Sequence, residues 1–140
     1  MIRKMQSADL NCVSQIWLNT NISSHNFIHE DYWKSNYTEV KSLLSKAEIY
    51  VYEDRSEIFG FIGLNGNYIE GVFVSEKMQS KGIGTELLNF VKSANSKLSL
   101  NVYKKNKTAV NFYRKQNFII KTQDVDKNTG EYEYLMVWSR

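Results

Sequence analysis

The stretch Val72-Phe-Val-Ser-Glu-Lys-Met-Gln-Ser-Lys-Gly-Ile-Gly-Thr85 decides the reading of this chain. It leaves an apolar strand at Val74, crosses a polar loop and enters a helix near Gly82. Backbone N–H groups at a helix N-terminus are unpaired, and the helix dipole favours negative charge there. Gly82 and Gly84 carry no side chain, so a phosphate can approach the backbone closely. Lys81 adds a cation beside this turn and Thr85 a hydroxyl. The loop is not a Walker sequence, because no Gly-Lys-Ser/Thr ends it. It is not a full dinucleotide fingerprint either, because Leu87 stands at the third glycine position. A pyrophosphate cradle and a plain glycine-bearing turn without ligand both fit these residues.

Outward from this stretch, the apolar period switches twice. Ile2 to Gln6 reads as a first strand. Ala8 to Ser23 reads as a helix with Leu10, Val13, Ile16 and Trp17 inward and Ser7 as its cap. Asp31 to Lys46 reads as a second helix with Trp33, Tyr37, Val40 and Leu44 on one face. Glu48–Glu53, Glu57–Leu64 and Asn67–Val74 read as strands, with Asn65-Gly66 a strong hairpin turn. Short turns make these strands antiparallel neighbours. Beyond the loop, Gly82 to Asn95 reads as a helix with Ile83, Leu87, Val91 and Ala94 inward. Leu98–Tyr103 is a strand and Asn106–Gln116 a short helix. Phe118–Val125 and Glu131–Trp138 close the chain as a hairpin. The expected fold is one domain over residues 1–140, mixed α+β within the α/β class. It has a largely antiparallel sheet of about seven strands flanked by about four helices.

The charge is unevenly placed. Residues 1–76 carry six Lys/Arg against ten Asp/Glu, whereas residues 77–121 carry ten Lys/Arg and only Glu86. A basic segment inside a chain of net charge +3 implies a polyanionic partner or a solvated basic face. Nucleic acid and a phosphate-bearing cofactor are both candidates. No apolar run approaches the roughly 18 residues of a membrane span, and no signal-peptide core follows Met1. The single cysteine, Cys12, excludes an internal disulfide and a multi-cysteine metal site. It implies a reducing, cytoplasmic setting and is expected to pack against the helix face.

Gln79-Ser-Lys-Gly82-Ile-Gly84 matches the Q/R-x-x-G-x-G/A signature, and the chain resembles the GNAT superfamily of N-acetyltransferases. Ile69-Glu-Gly-Val-Phe-Val74 resembles the strand that runs into that signature. Asn106-x-x-Ala109-x-x-Phe112-Tyr113-x-x-x-Asn117-Phe118 resembles the family's N-x-x-A-x-x-F-Y-x-x-x-G-F segment. The loop from Ser23 to Phe27 is similar to that of small bacterial members. One departure stands out: Asn117 replaces a glycine, and Asn is the next best residue at a left-handed helix end.

The resemblance implies acetyl-coenzyme A as donor, with no metal. It implies a pyrophosphate held by Gln79, Ser80, Lys81, Gly82, Ile83, Gly84 and Thr85, and a pantetheine arm along Val72, Phe73 and Val74. Asn106 and Tyr113 complete the cofactor site, and the acetyl group sits in a gap between the strands ending near Val74 and Tyr103. The basic segment then answers the phosphates of coenzyme A.

Acetyl transfer to an amine needs a neutral amine, a stabilised carbonyl oxygen and a proton for the departing thiolate. Tyr113 is the expected acid, since a phenol of pKa near 10 is protonated at neutral pH; packing against Phe112 is its alternative. The backbone N–H near Val74 is the oxyanion donor that the resemblance implies. Strand alternation puts Tyr68, Glu70, Val72 and Val74 on one face. The resemblance implies a carboxylate on this strand acting through water, which makes Glu70 a candidate base, with His25 the other. His25, Phe27 and Asn101 are candidate acceptor contacts, each with a bland alternative as a surface, core or strand-end residue. The acceptor is expected to be a small-molecule or peptide amine, and the protein a monomer or homodimer that binds neither nucleic acid nor membrane. A non-catalytic acyl-coenzyme A-binding module and a nucleic-acid-binding protein are the alternative readings.

Overall fold

A computed structural model describes residues 1–140. Two residues with positive φ, Arg55 at 52° and Ser56 at 65°, fold the first tight turn, and Gly66 at 61° folds the second. These left-handed positions match the twist of the strands they join. The turns link β2 (Glu48–Asp54), β3 (Glu57–Asn65) and β4 (Tyr68–Val74) into a meander. Before it come β1 (Ile2–Lys4), a 3-10 turn at Ser7–Asp9, α1 (Leu10–Ser24), α2 (Glu30–Ser35) and α3 (Tyr37–Leu44). After it come a second 3-10 turn at Glu76–Met78, α4 (Ile83–Ser93), β5 (Lys97–Tyr103), α5 (Lys107–Lys115), β6 (Ile119–Val125) and β7 (Tyr132–Ser139). The seven strands form one sheet in the order β1-β2-β3-β4-β5-β7-β6. Every pairing is antiparallel except β4 with β5. No helix is long and apolar enough to cross a membrane.

Each face of the sheet carries its own core. Leu87, Leu88 and Val91 of α4 and Val110 and Tyr113 of α5 join Ile62, Leu64, Ile69, Leu98, Leu100 and Met136 in a cluster of 15 buried residues. The other face is smaller: Val13 and Ile16 of α1 pack with Ile49, Val51 and Phe61. Full burial of such a side chain contributes roughly 1.5–3 kcal/mol, so the α4–α5 face supplies most of the hydrophobic stabilisation.

Several expectations are corrected. There are five α-helices, not about four, because Asn36 divides the second one. The Asn36 side chain donates to the Tyr32 carbonyl at 2.6 Å, and its own carbonyl accepts from Val40 as α3 begins. Ser7 caps nothing: the Asp9 carboxylate accepts the Gln6 N–H at 2.8 Å and also binds Arg3 at 2.7 Å. Ala94 is exposed and Leu88 takes its place in the core. Cys12 is exposed instead of packed. The left-handed role of Asn117 holds, at φ 70°, and Phe118 N–H reaches the Tyr113 carbonyl across it at 3.0 Å.

Candidate active site

The cradle is made of backbone. Ser80 and Gly82 both take positive φ, 62° and 87°, and Gly82 caps α4. None of the N–H groups from Ser80 to Thr85 donates to a protein carbonyl. They lie at the positive end of the α4 dipole, and free N–H groups there are the physical requirement for an anion site. The side chains here serve the cradle's shape. Gln79 Nε2 donates to the Val74 carbonyl at 3.0 Å and folds the loop back onto β4. Thr85 Oγ1 accepts from Gln116 Nε2 at 3.1 Å and ties α4 to the end of α5. A Cβ on Gly82 would meet nothing within 4 Å, whereas one on Gly84 would lie 3.1 Å from the Phe112 ring. Gly82 therefore answers the turn and the open approach, and Gly84 also answers helix packing.

Below the cradle the sheet splits. β4 and β5 pair only at Tyr68–Ser99 and Ile69–Leu100 and then part. Ser75 N–H still bonds to the Phe59 carbonyl of β3. By alternation, Val74 and Val72 turn their backbone groups away from β3, toward the gap. The result is a cleft of about 900 Å³ lined by the cradle, by β4 from Tyr68 to Val74 and by β5 from Asn101 to Tyr103. The end of α1, α5 and Glu133 complete its walls.

A bulge in β4 changes which residues face the cleft together. Gly63 pairs with Gly71 and Leu64 with Ile69, which leaves Glu70 as the extra residue. Val72 and Val74 pack against the α4-side core. Tyr68 lies on the opposite face, where its hydroxyl accepts from Asn101 Nδ2 at 3.0 Å. The expected single face for Tyr68, Glu70, Val72 and Val74 is therefore broken. Glu70 Cβ sits 3.7 Å from the position of a Cβ on Gly63, on the α1 side of the sheet. Phe73 also turns to that side and stacks on Phe61 at 4.8 Å, so its side chain belongs to the smaller core.

Tyr113 reaches the cleft from the α4 side. It is 7% exposed and lines the cavity. Burial alone pushes its hydroxyl well above the ordinary phenol value, so it stays protonated. The other side of the split carries aromatic and acidic side chains. His25 stacks on Trp33 at 5.3 Å and meets Phe27 and Tyr103 edge-on. Asn106 Oδ1 accepts the Ala109 N–H at 3.2 Å, capping α5, so its Nδ2 faces His25 Nε2 at 3.1 Å. That nitrogen accepts, and the ring proton on Nδ1 donates to the Asn21 carbonyl at 3.1 Å. His25 is thus neutral with both nitrogens engaged, and burial lowers its pKa below the usual value. Asn106, expected beside the cofactor, spends its amide on α5 and His25.

Of the expected site residues, Lys81 and Phe27 do not line the cleft; the others do. Tyr68, Tyr103, Trp33 and Glu133 line it without having been singled out as site residues. Trp33 is 7% exposed and its indole N–H is buried without a partner. Glu133 gave no signal, because its place depends on the pairing of β7 with β5.

Residues 15–131 match the family model of the acetyltransferase (GNAT) domain. The chain is 31% identical over 140 residues to peptidyl-lysine N-acetyltransferase YiaC of Escherichia coli (strain K12), covering 99% of this chain and 96% of the relative. It is 29% identical over 104 residues to peptidyl-lysine N-acetyltransferase YjaB of the same organism, covering 74% of this chain and 71% of that one. Among solved structures, apo-form YjaB from Escherichia coli superposes with a TM-score of 0.89 at 24% identity, covering 99% of this chain and 96% of that chain. PaiA N-acetyltransferase from Thermoplasma acidophilum, in complex with coenzyme A, superposes with a TM-score of 0.84 at 21% identity, covering 100% and 98%. The chain belongs to the GNAT family and is an N-acetyltransferase.

Proposed function

We propose that this enzyme transfers the acetyl group of acetyl-coenzyme A to a primary amine, the side-chain amine of a lysine in a peptide above all. The observation that carries this reading is the meeting, in one cleft, of the free N–H groups of Ser80 to Thr85, the unpaired edge of β4 and Tyr113. The names of YiaC and YjaB support a peptidyl-lysine acceptor, and the coenzyme A complex of a structural neighbour supports the donor.

The residues fit the cofactor. The cradle from Gln79 to Thr85 holds the pyrophosphate, and Val72 and Val74 offer backbone groups to the pantetheine arm. When bound, acetyl-coenzyme A supplies an activated thioester. The Val74 N–H faces the gap and stabilises negative charge on the acetyl oxygen. Tyr113 gives its proton to the departing thiolate and recovers one from the nitrogen. Glu70 takes the other proton of the incoming ammonium through water. The amine thereby loses two protons and gains one acyl bond. In this reading the chain acts as a single cytoplasmic domain and needs no metal.

The test is a panel of lysine peptides and small amines incubated with acetyl-coenzyme A, read as free thiol and as acetyl mass on the acceptor. Acceptor-dependent release is expected. A thermal shift with coenzyme A but no release from any amine would make the protein a binding module. Retention on DNA that falls steeply with salt, without a coenzyme A shift, would assign the basic segment to nucleic acid.

A further inference from the structure

Glu133 has no part in the donor machinery, yet it lines the same cleft. It stands on β7 opposite Tyr103, two residues from Leu135, which is opposite Asn101. Directly paired residues project to one face of a sheet. Glu133 therefore projects with Tyr103 and Asn101 onto the side away from Tyr113. It is half-buried, and no cation or hydrogen-bond donor of the chain engages it. Its charged neighbours are acids: Asp124 on β6 and Asp126 in the following turn. Asp126 is occupied by the Tyr103 hydroxyl at 2.5 Å, whereas Glu133 is free.

The pairing with Tyr103 places the carboxylate in the cavity that Tyr68 and Glu70 also line. Burial above all raises the pKa of Tyr32 on α2 and of Tyr68 on β4, and the charge of Glu133 adds a smaller push to each. Glu70 acts on the same Tyr68 hydroxyl. Glu133 of β7 and Glu70 of β4 line one cavity with the hydrogen-bonded Tyr68 and Asn101. Trp33 and Tyr103 line the same cavity, and the buried Trp33 indole N–H still lacks an acceptor. A half-buried carboxylate among like charges is mildly unfavourable for folding. Nothing within the chain compensates it. A cation brought by a ligand would, and aromatic walls suit the alkyl arm and charge of such a ligand.

We propose that Glu133 binds the acceptor's ammonium group, so that the cleft selects an amine arriving protonated on a flexible alkyl arm, as a lysine side chain does. The proposal rests on the acetyltransferase reading and deepens it: Glu133 holds the ammonium and Glu70 receives its proton. The cation reaches the split from the acidic face while the acyl donor lies along the backbone of β4.

The test compares two capped heptapeptides, one with a single central lysine and one with norleucine in its place. Binding to the coenzyme A-loaded protein is measured by NMR titration for wild type and Glu133→Gln. The wild type is expected to prefer lysine at least tenfold, and Glu133→Gln, confirmed folded by its amide spectrum, is expected to lose that preference. In turnover the variant should raise KM for the lysine peptide with kcat little changed. A lysine preference equal in both proteins, or absent from the wild type, overturns the proposal. Thiol release is scored separately. A wild type that binds lysine selectively but releases no thiol breaks the acetyltransferase reading and leaves the ammonium site standing.

Discussion

The two halves of the cleft are built by different means. The half proposed for the donor is a run of consecutive backbone N–H groups at one helix end, shaped by Ser80 and Gly82 in left-handed conformations. The opposite half, proposed above for the acceptor, is made of side chains from five separate segments: His25, Trp33, Glu70, Tyr103 and Glu133. The first is carried by a segment rich in lysine, the second lies among carboxylates. A backbone site tolerates side-chain change but not a change of φ. A side-chain site behaves in the opposite way. Tyr113 stands between them, buried in the α4-side core with its ring while its cavity face meets the split.

The largest effect is expected at that junction. Tyr113→Phe keeps the ring and removes the hydroxyl. General acid catalysis is worth about 10² to 10⁴ in rate, so turnover should fall within that range. Affinity for acetyl-coenzyme A should change far less, since the proton is needed only as the thiolate leaves. Turnover and calorimetric affinity are measured together. A fall of less than about threefold would show that water supplies the proton.

The cradle comes next. At Gly82 the φ of 87° is strained for any branched side chain, although a Cβ would meet no atom. Gly82→Val should weaken coenzyme A binding tenfold or more, about 1.4 kcal/mol. Lys81→Ala should weaken it much less, because Lys81 does not line the cleft. If the two variants lose affinity equally, charge and not backbone geometry holds the phosphates.

This contrast also explains what the sequence could disclose. The glycine turn was legible because its residues are contiguous and its signal is local: Gly82 for the turn, Gly84 for close approach. Asn117 was legible as a helix end for the same reason. The meander was legible because Asn65-Gly66 and alternating strands are local signals. The bulge at Glu70 was not, since nothing in Ile69-Glu-Gly-Val marks which residue loses its partner. Nor was the insertion of β7 between β5 and β6, which alone brings Glu133 beside Tyr103. The His25–Asn106 bond spans 81 residues and joins two segments that look like an ordinary loop and an ordinary cap.

That bond offers a subtler test. Asn106→Ala removes the cap of α5, worth about 1 kcal/mol, and leaves His25 Nε2 without its donor. A melting point lower by a few degrees is expected. Asn106→Asp keeps the cap but turns an anionic oxygen toward Nε2, which favours imidazolium. In the wild type His25 is held neutral, with a pKa below its unfolded value. The unfolded chain then binds more protons, and stability is lost as pH falls from about 6.5 through the depressed value. Asn106→Asp should raise the His25 pKa seen by NMR and reverse this trend. An unmoved pKa would mean the carboxylate turns away from the ring.

The smallest effect concerns the stability cost of an acceptor site. Burial and the nearby Asp126 and Asp124 raise the Glu133 pKa in the folded protein. The native state therefore holds this proton more tightly than the unfolded chain does. Below about pH 4.3 both states are protonated and Glu133 costs nothing. As pH rises through the raised value, the folded protein must carry a charge it disfavours, and stability is lost. Above that value the cost is constant. Glu133→Gln removes the charge and keeps the shape. Because the side chain is only half-buried, solvent screens much of the effect, and the variant should melt higher at pH 7.5 by on the order of a degree or two. The two melting curves should converge near pH 4. A variant that melts lower than the wild type at pH 7.5 would show that a cation of the chain already satisfies Glu133. The acceptor half would then be a structural ion pair, with no charge left over for an incoming amine.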